Sequence, residues 1–446
     1  MARAATWPEM RLVRPSRFCT PHDDAVAEDA TPGFDPWHDH DGRGRLPEEV
    51  PFRFDLRVNH PQALQGRLGL PPVSQKISAA LNVLVANLWY ATLRGAHWVF
   101  YSRDRAHYAT MRQAVDRCPP FYTRTNVIDA VDVLEAAGLI EHRKTAPSPY
   151  AEFRSRVRAT PALINRLGAP HVEAFTLEPT ALIILRDADG QLLPFPESRD
   201  IGRLRRDVEA QNAFIAAYKI ELGLAEARYD ETGVLHVGGR WFNPLRRSAH
   251  RVFNGNFSRG GRWYGTFWQG LPKAARGALL IDGAPTVELD FRACHLRLLS
   301  AMAGLNLPFD EAAFDPFSIR GIPRGAIKLA FNIMLNASSK RGAHGALVKK
   351  FRTRPTYPKP GTAMAAVVEH FPGFESFWNT GIGLRLQNLD AKICARVQRT
   401  LRQANIPVLS VHDSFIVRES QKDLLEQTMN QEMAEMCSKL RERKTK

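Results

Sequence analysis

Residues 286–303, TVELDFRACHLRLLSAMA, decide how this chain is read. Thr286 to Leu289 reads as a short strand, and it ends on an acid, Asp290. From Ala293 the spacing turns helical and directs Leu296, Leu299 and Met302 or Ala303 inward. A carboxylate beside strand-forming apolar residues is costly unless it is used. At a strand's C-terminal end it can point into a cleft while the strand anchors it. Residues 407–417, PVLSVHDSFIV, repeat the theme, with Asp413 at the tip of a hairpin between two apolar strands. The two acids are 123 positions apart (413 − 290), so only a fold can bring them together.

Between them lies 324–339, RGAIKLAFNIMLNASS, a helix with Pro323 at its first position. Arg324, Lys328, Asn332 and Asn336 recur every fourth residue and share one face. No acid occurs within 320–344, which sets this face apart from an ordinary solvated one. Two cations followed by two amides match a triphosphate followed by a sugar and base. Acid, cationic helix, acid is the order a template-directed nucleotidyl transferase needs. Asp290 and Asp413 would hold two Mg²⁺ ions, or Mn²⁺, and Arg324 and Lys328 the triphosphate of an incoming nucleotide. Lys328 is also a candidate proton donor to the leaving group.

These three segments resemble family A DNA polymerases and the single-subunit phage-type RNA polymerases. LDFRACHLRLLSAMA carries the first pattern through Asp290, Leu296 and Arg297. Arg324 and Lys328 match the Arg-x3-Lys of the fingers helix, and His412 and Asp413 match the His-Asp turn. The Phe-Asn…Gly-Gly-Arg element ending at Arg262 resembles a contact to primer–template, and Gln387 and Ala391 resemble the helix before the turn. The resemblance runs roughly from Phe253 to Glu435. It implies an α+β fold, a polymerase palm with short fingers and a reduced thumb. It also implies that His295, Asn332 and Asn336 act on the sugar and base, and that Gln387 and His412 touch nucleic acid. The family's usual residues at those three positions are a Glu, an aromatic and a Tyr. The choice between dNTP and rNTP is therefore open.

Residues 1–60, rich in Pro, Asp, His and Gly, read as a disordered tail in which His38 and His40 are solvated. Residues 61–175 read as a small winged-helix-like domain. Thr123 or Thr125 caps a helix striped by Val127, Val131 and Leu134, with Gly138 at its end. A basic hairpin follows, carrying Arg143, Lys144, Arg154, Arg156 and Arg158. The expectation is that the helix enters a DNA groove while the hairpin touches phosphates, with Arg124, Arg154, Arg156 and Arg158 as contacts. The rival is a protein-contact module. Residues 176–270 read as a thumb-like or linking region. Within it, 240–262 carries six arginines and no acid, interleaved with aromatics and Gly255, Gly260 and Gly261. Arg251, Arg259 and Arg262 are its candidate nucleic-acid contacts. The palm and fingers take 271–435, and 436–446 reads as a basic tail.

The net charge is +15 (61 basic minus 46 acidic), which favours a polyanionic partner, nucleic acid being the commonest; the polymerase resemblance implies DNA, primed or duplex, with nucleoside triphosphates as substrates. Five scattered cysteines without a CxxC argue against a disulfide framework or a structural zinc site and fit a reducing cytosol. Neither a signal peptide nor a membrane span shows, so a cytoplasmic protein is expected. No obligate protein partner is evident. A DNA polymerase without proofreading, serving a plasmid, phage or other mobile element, is the leading reading. An RNA polymerase or primase, and a non-catalytic initiator with a degenerate palm, are the alternatives.

Overall fold

A computed structural model describes residues 49–93, 98–115, 118–144, 155–178, 181–190, 192–224, 227–309 and 315–442. The architecture is mixed α+β, built around three buried cores.

The N-terminal unit contains β1 (Glu49–Pro51), β2 (Leu56–Val58), α1 (Pro61–Leu68), α2 (Gln75–Leu93), β3 (Trp98–Tyr101), α3 (Arg105–Ala114), α4 (Arg124–Ala136), β4 (Ile140–Arg143), β5 (Ser155–Ala159), α5 (Pro161–Leu167) and β6 (Phe175–Leu177). One sheet has the order β1-β3-β5-β4, and β2 pairs with β6. The Thr123 hydroxyl accepts from the Asn126 amide and starts α4; Gly138, at φ 67°, follows its end.

Residues 49–60 are not a tail. Phe52, Phe54, Leu56 and Val58 are 2%, 2%, 0% and 3% exposed, a period-two pattern that buries one face. Two buried amides on α2 hold this segment. Asn87 exchanges 2.7 Å bonds with both backbone groups of Arg53, and Asn82 does the same with Val58 at 3.2 Å.

The rest of the chain forms β7 (Ile183–Arg186), α6 (Arg199–Ala216), β8 (Ile220–Leu222), β9 (Arg228–Tyr229), β10 (Leu235–Val237), β11 (Arg240–Phe242), β12 (His250–Asn254), β13 (Asn256–Tyr264), α7 (Phe267–Gly270), α8 (Lys273–Arg276), β14 (Leu279–Ile281), β15 (Ala284–Asp290), α9 (Cys294–Ala303), α10 (Arg324–Asn336), α11 (Lys340–Phe351), α12 (Pro360–His370), α13 (Gly383–Gln403), β16 (Leu409–Val411), β17 (Ser414–Arg418) and α14 (Lys422–Glu442). Its central sheet is five-stranded and antiparallel, in the order β16-β17-β15-β14-β8. A second sheet has the order β13-β12-β7.

Alternation along the central strands sorts their side chains. Val287, Leu289, Phe415 and Val417 pack into the helical core. Leu409, Val411 and Ile416 face a separate core with Phe267 and Trp268. By the same alternation Glu288 and Asp290 share the second face.

Residues 176–270 contribute to both neighbouring cores, Leu177 packing against the N-terminal one. Val208 of α6 belongs to the helical one. β8 forms an edge of the central sheet. Residues 436–442 are likewise not a tail, since α14 runs through them and buries Met436 and Leu440.

Candidate functional site

Asp290 is the last residue of β15 and pairs in register with Ser414, the residue after Asp413. The backbone N–H of Phe291 donates to the Asp413 carbonyl at 3.4 Å. The two acids therefore occupy adjoining positions at one edge of the sheet. Val411 pairs with Ser414, so His412 and Asp413 make a two-residue turn. His412 enters the left-handed region at φ 58°, and Ala293, three residues after Asp290, does so at φ 54°. Alanine gains nothing locally from that conformation, so the surrounding fold must impose it beside the acid pair.

Asp290 is exposed to solvent, yet its carboxyl is raised to about 7. Crowding by protein is the main cause and the charge of Asp413 the second; Glu288 adds to the rise, while Lys273 and Lys328 oppose it. The carboxylate is thus both reachable by water and crowded by protein. Two close carboxylates offer the hard oxygen donors that suit a Mg²⁺ or Mn²⁺ ion.

Sequence reading missed the support for this edge. Arg276 of α8 binds Glu288 with two bonds of 2.9 Å, and the buried Ser414 hydroxyl donates to Glu288 at 2.7 Å. Burial would push the Glu288 carboxyl up, but these hydrogen bonds outweigh it and hold it below the usual range. Arg276 thus ties α8 to β15. Lys273, one helical turn earlier, is exposed and near enough to act on Asp290. The signal was present in TVELD, where Glu288 and Asp290 share one strand face.

Helix α10 presents its expected stripe: Arg324 and Lys328 are exposed, and Asn332 and Asn336 half-buried. Pro323 is the residue before the helix rather than its first. The stripe is not free of acid in space, because Asp315 reaches in from outside the 320–344 window and pairs with Arg324 at 2.6 Å. The Asn336 side chain donates to the Asn332 carbonyl at 2.7 Å. It also lies against Gly383, where a Cβ would collide with the amide.

Other expected contacts are turned inward. Arg262 is 4% exposed and makes a bidentate ion pair with Asp390, with Nη2 at 2.6 Å and Nε at 3.1 Å. His295 joins the same carboxylate at 2.8 Å, so it is held from behind by an acid the sequence reading passed over. The signal was again an acid flanked by apolar residues, at Leu389-Asp390-Ala391. Arg251 is 2% exposed; its guanidinium donates to the Gly261 carbonyl and lies over Phe253 and Trp263. Gly261, at φ 93°, admits the Phe253 ring rather than a nucleic-acid backbone. Gln387 is buried on α13. The physical reason is shared: β12 is the middle strand of its sheet and the second half of β13 packs against α13, so residues 250–253 and 260–263 become interior as continuous stretches. Arg259 does stay exposed, its guanidinium near Gly381 beyond the end of α10. His412 is half-buried and packs edge-on against Tyr264.

In the N-terminal unit, Arg156 and Arg158 lie on the outer face of β5. Arg124 is half-buried, and its Nε donates to the Arg103 carbonyl at 2.8 Å. Arg154, like His38 and His40, falls outside the described residues. Among the described residues, three potential metal ligands converge within 4.8 Å only at Asp132, Glu135 and His142, away from the aspartate pair. Both ring nitrogens of that histidine are taken, by Glu135 at 2.9 Å and the Tyr101 hydroxyl at 2.8 Å. No helix among the described residues is long and apolar enough to cross a membrane.

No protein-family model matches this chain, and no curated protein matches it in sequence.

Proposed function

We propose that this chain is a template-directed nucleotidyl transferase, with DNA polymerase activity as the leading form. One observation carries the reading. Asp290 and Asp413, distant in sequence, adjoin at one sheet edge, with Lys273 and Lys328 close enough to act on Asp290. In this reading the five-stranded sheet is the palm and α10 the fingers helix. The N-terminal unit is a winged helix, supported by its order α2-β3-α3-α4-β4-β5 and by the strand order β3-β5-β4.

The aspartates would hold the divalent ions, which when bound would acidify the primer 3′-hydroxyl and neutralise the pyrophosphate. Lys328 and Arg324 would take the phosphate oxygens as charge builds on them. Arg324 must first exchange Asp315 for the nucleotide. Lys273 would hold the acid side of the cleft against its own repulsion.

The test is a primer-extension assay with labelled dNTP or rNTP, with and without primer, in Mg²⁺ and in chelator. Metal-dependent incorporation by the parent, absent from Asp290→Ala and Asp413→Ala, is the expected result. No incorporation from either nucleotide pool would sink the enzyme reading. Retained duplex binding in that case would favour a non-catalytic initiator.

A further inference from the structure

The N-terminal unit has two exposed faces of opposite character. On α4 the outward stripe is Thr125, Asp129, Asp132 and Ala136, with Glu135 beside it. Against these three acids the helix carries one base, Arg124 at its first residue, whose Nε donates to the Arg103 carbonyl. A helix presenting Asp129, Asp132 and Glu135 would set carboxylates against phosphates if it entered a DNA groove. That charge opposes the expected helix-in-groove docking.

The sheet offers the reverse. Ile140, His142, Ser155 and Val157 alternate toward the interior, which sends Glu141, Arg143, Arg156 and Arg158 outward. Three guanidinium groups gather over one buried indole. The Arg143, Arg158 and Arg156 Cζ atoms lie 4.6, 4.8 and 5.3 Å from the Trp98 ring centre. Trp98 is 7% exposed, so these side chains roof it. Glu141 pairs with Arg158 at 2.6 Å and is the one acid among these four outward residues. A guanidinium held over a ring by its charge keeps the N–H fork that suits bidentate phosphate contacts. That hold also removes rotamer freedom before binding, so less is lost when a phosphate arrives.

We propose that the outer face of the β3-β5-β4 sheet, through Arg143, Arg156 and Arg158 held on Trp98, is a docking site for the phosphate backbone of duplex DNA. Helix α4 faces away from that DNA. The site is separate from the nucleotidyl-transfer cleft and stands or falls without it.

The test uses the full chain and a labelled duplex of about 25 base pairs, with anisotropy followed across a salt series. Arg143→Glu/Arg156→Glu should weaken binding at least about tenfold at low salt and lower the slope of log affinity against log salt by about two. Arg143→Gln/Arg156→Gln should shift both in the same direction by less, and it reads the same contact should the glutamate pair fail to fold. Thr125→Glu and Asp132→Ala on α4 should stay within about twofold of the parent. Thermal melting of each variant identifies loss of fold. A folded glutamine pair that binds as the parent does would overturn the proposal, as would a folded Thr125→Glu that loses as much as the sheet variants. Extension of a pre-annealed primer, run on the same proteins, reports on the transferase reading alone.

Discussion

Asp290 and Asp413 adjoin because Ser414, next to Asp413, is the in-register partner of Asp290 across β15 and β17. Strand pairing thus closes a separation of 123 residues (413 − 290) and commits two like charges to one sheet edge. The cost appears in the Asp290 carboxyl, raised to about 7 by crowding and by Asp413.

That cost has a sign. The folded state keeps the Asp290 proton above the pH at which the unfolded chain gives it up, so stability falls as pH rises toward about 7. Without divalent ions, Asp290→Asn should raise the melting temperature at about pH 8 and leave it unchanged at about pH 4. Scanning calorimetry in chelator at both values checks this; a loss at the higher pH would mean that Asp290 is not repelled there.

Proton and metal compete for the same carboxylate. The Mg²⁺ concentration for half-maximal activity should rise toward about tenfold per pH unit below about 7, and level off above it. A metal titration of extension rate at each pH reads this directly. A flat profile would disconnect Asp290 from the ion.

Lys328 and Lys273 should separate kinetically. Lys328→Ala should raise the nucleotide KM and lower kcat together, by about tenfold or more in kcat/KM, because charge grows on the phosphates in the transition state. Lys273→Ala should mainly change the metal requirement, since its charge acts on the acids. Steady-state kinetics at varied nucleotide and varied Mg²⁺ distinguish the two.

Arg262 and Asp390 form a structural pair. Asp390→Ala should cost about 3–5 kcal/mol in denaturant unfolding, since it leaves the buried guanidinium without its carboxylate, and Arg262→Ala somewhat less, since His295 still holds Asp390. Replacing both by apolar residues of like volume should recover much of that loss. A stable Arg262→Ala that loses only nucleic-acid affinity would restore it as a surface contact.

Gly383→Ala should destabilise by about 1–3 kcal/mol through collision with the Asn336 amide. Asn336→Ala in the same chain should relieve it. Urea unfolding of the two single variants and the double reads this coupling.

Local pattern was enough to find much of this molecule. Thr123 and Gly138 bracket a helix because cap chemistry acts within a few residues. The four-residue rhythm of Arg324, Lys328, Asn332 and Asn336 defines a half-open helix face because the helical repeat is local. Acids stranded among apolar residues, Asp290 and Asp413, marked an edge worth explaining before any fold was known. The same signals in FRFDLRV, at Glu288 and at Asp390 were equally legible and passed unread.

What sequence could not decide is which arginines face water. Arg251, Arg259 and Arg262 lie in one basic segment, yet the first and last are interior and the middle one exposed. Orientation there depends on the packing of α13 against β13, a contact between residues some 128 positions apart. Asp315 neutralises Arg324 from beyond its own helix, and Trp98 gathers three arginines from strands β4 and β5. Charge and periodicity are properties of the chain. The partner each charge meets is set by long-range packing, and only the tertiary structure supplies it.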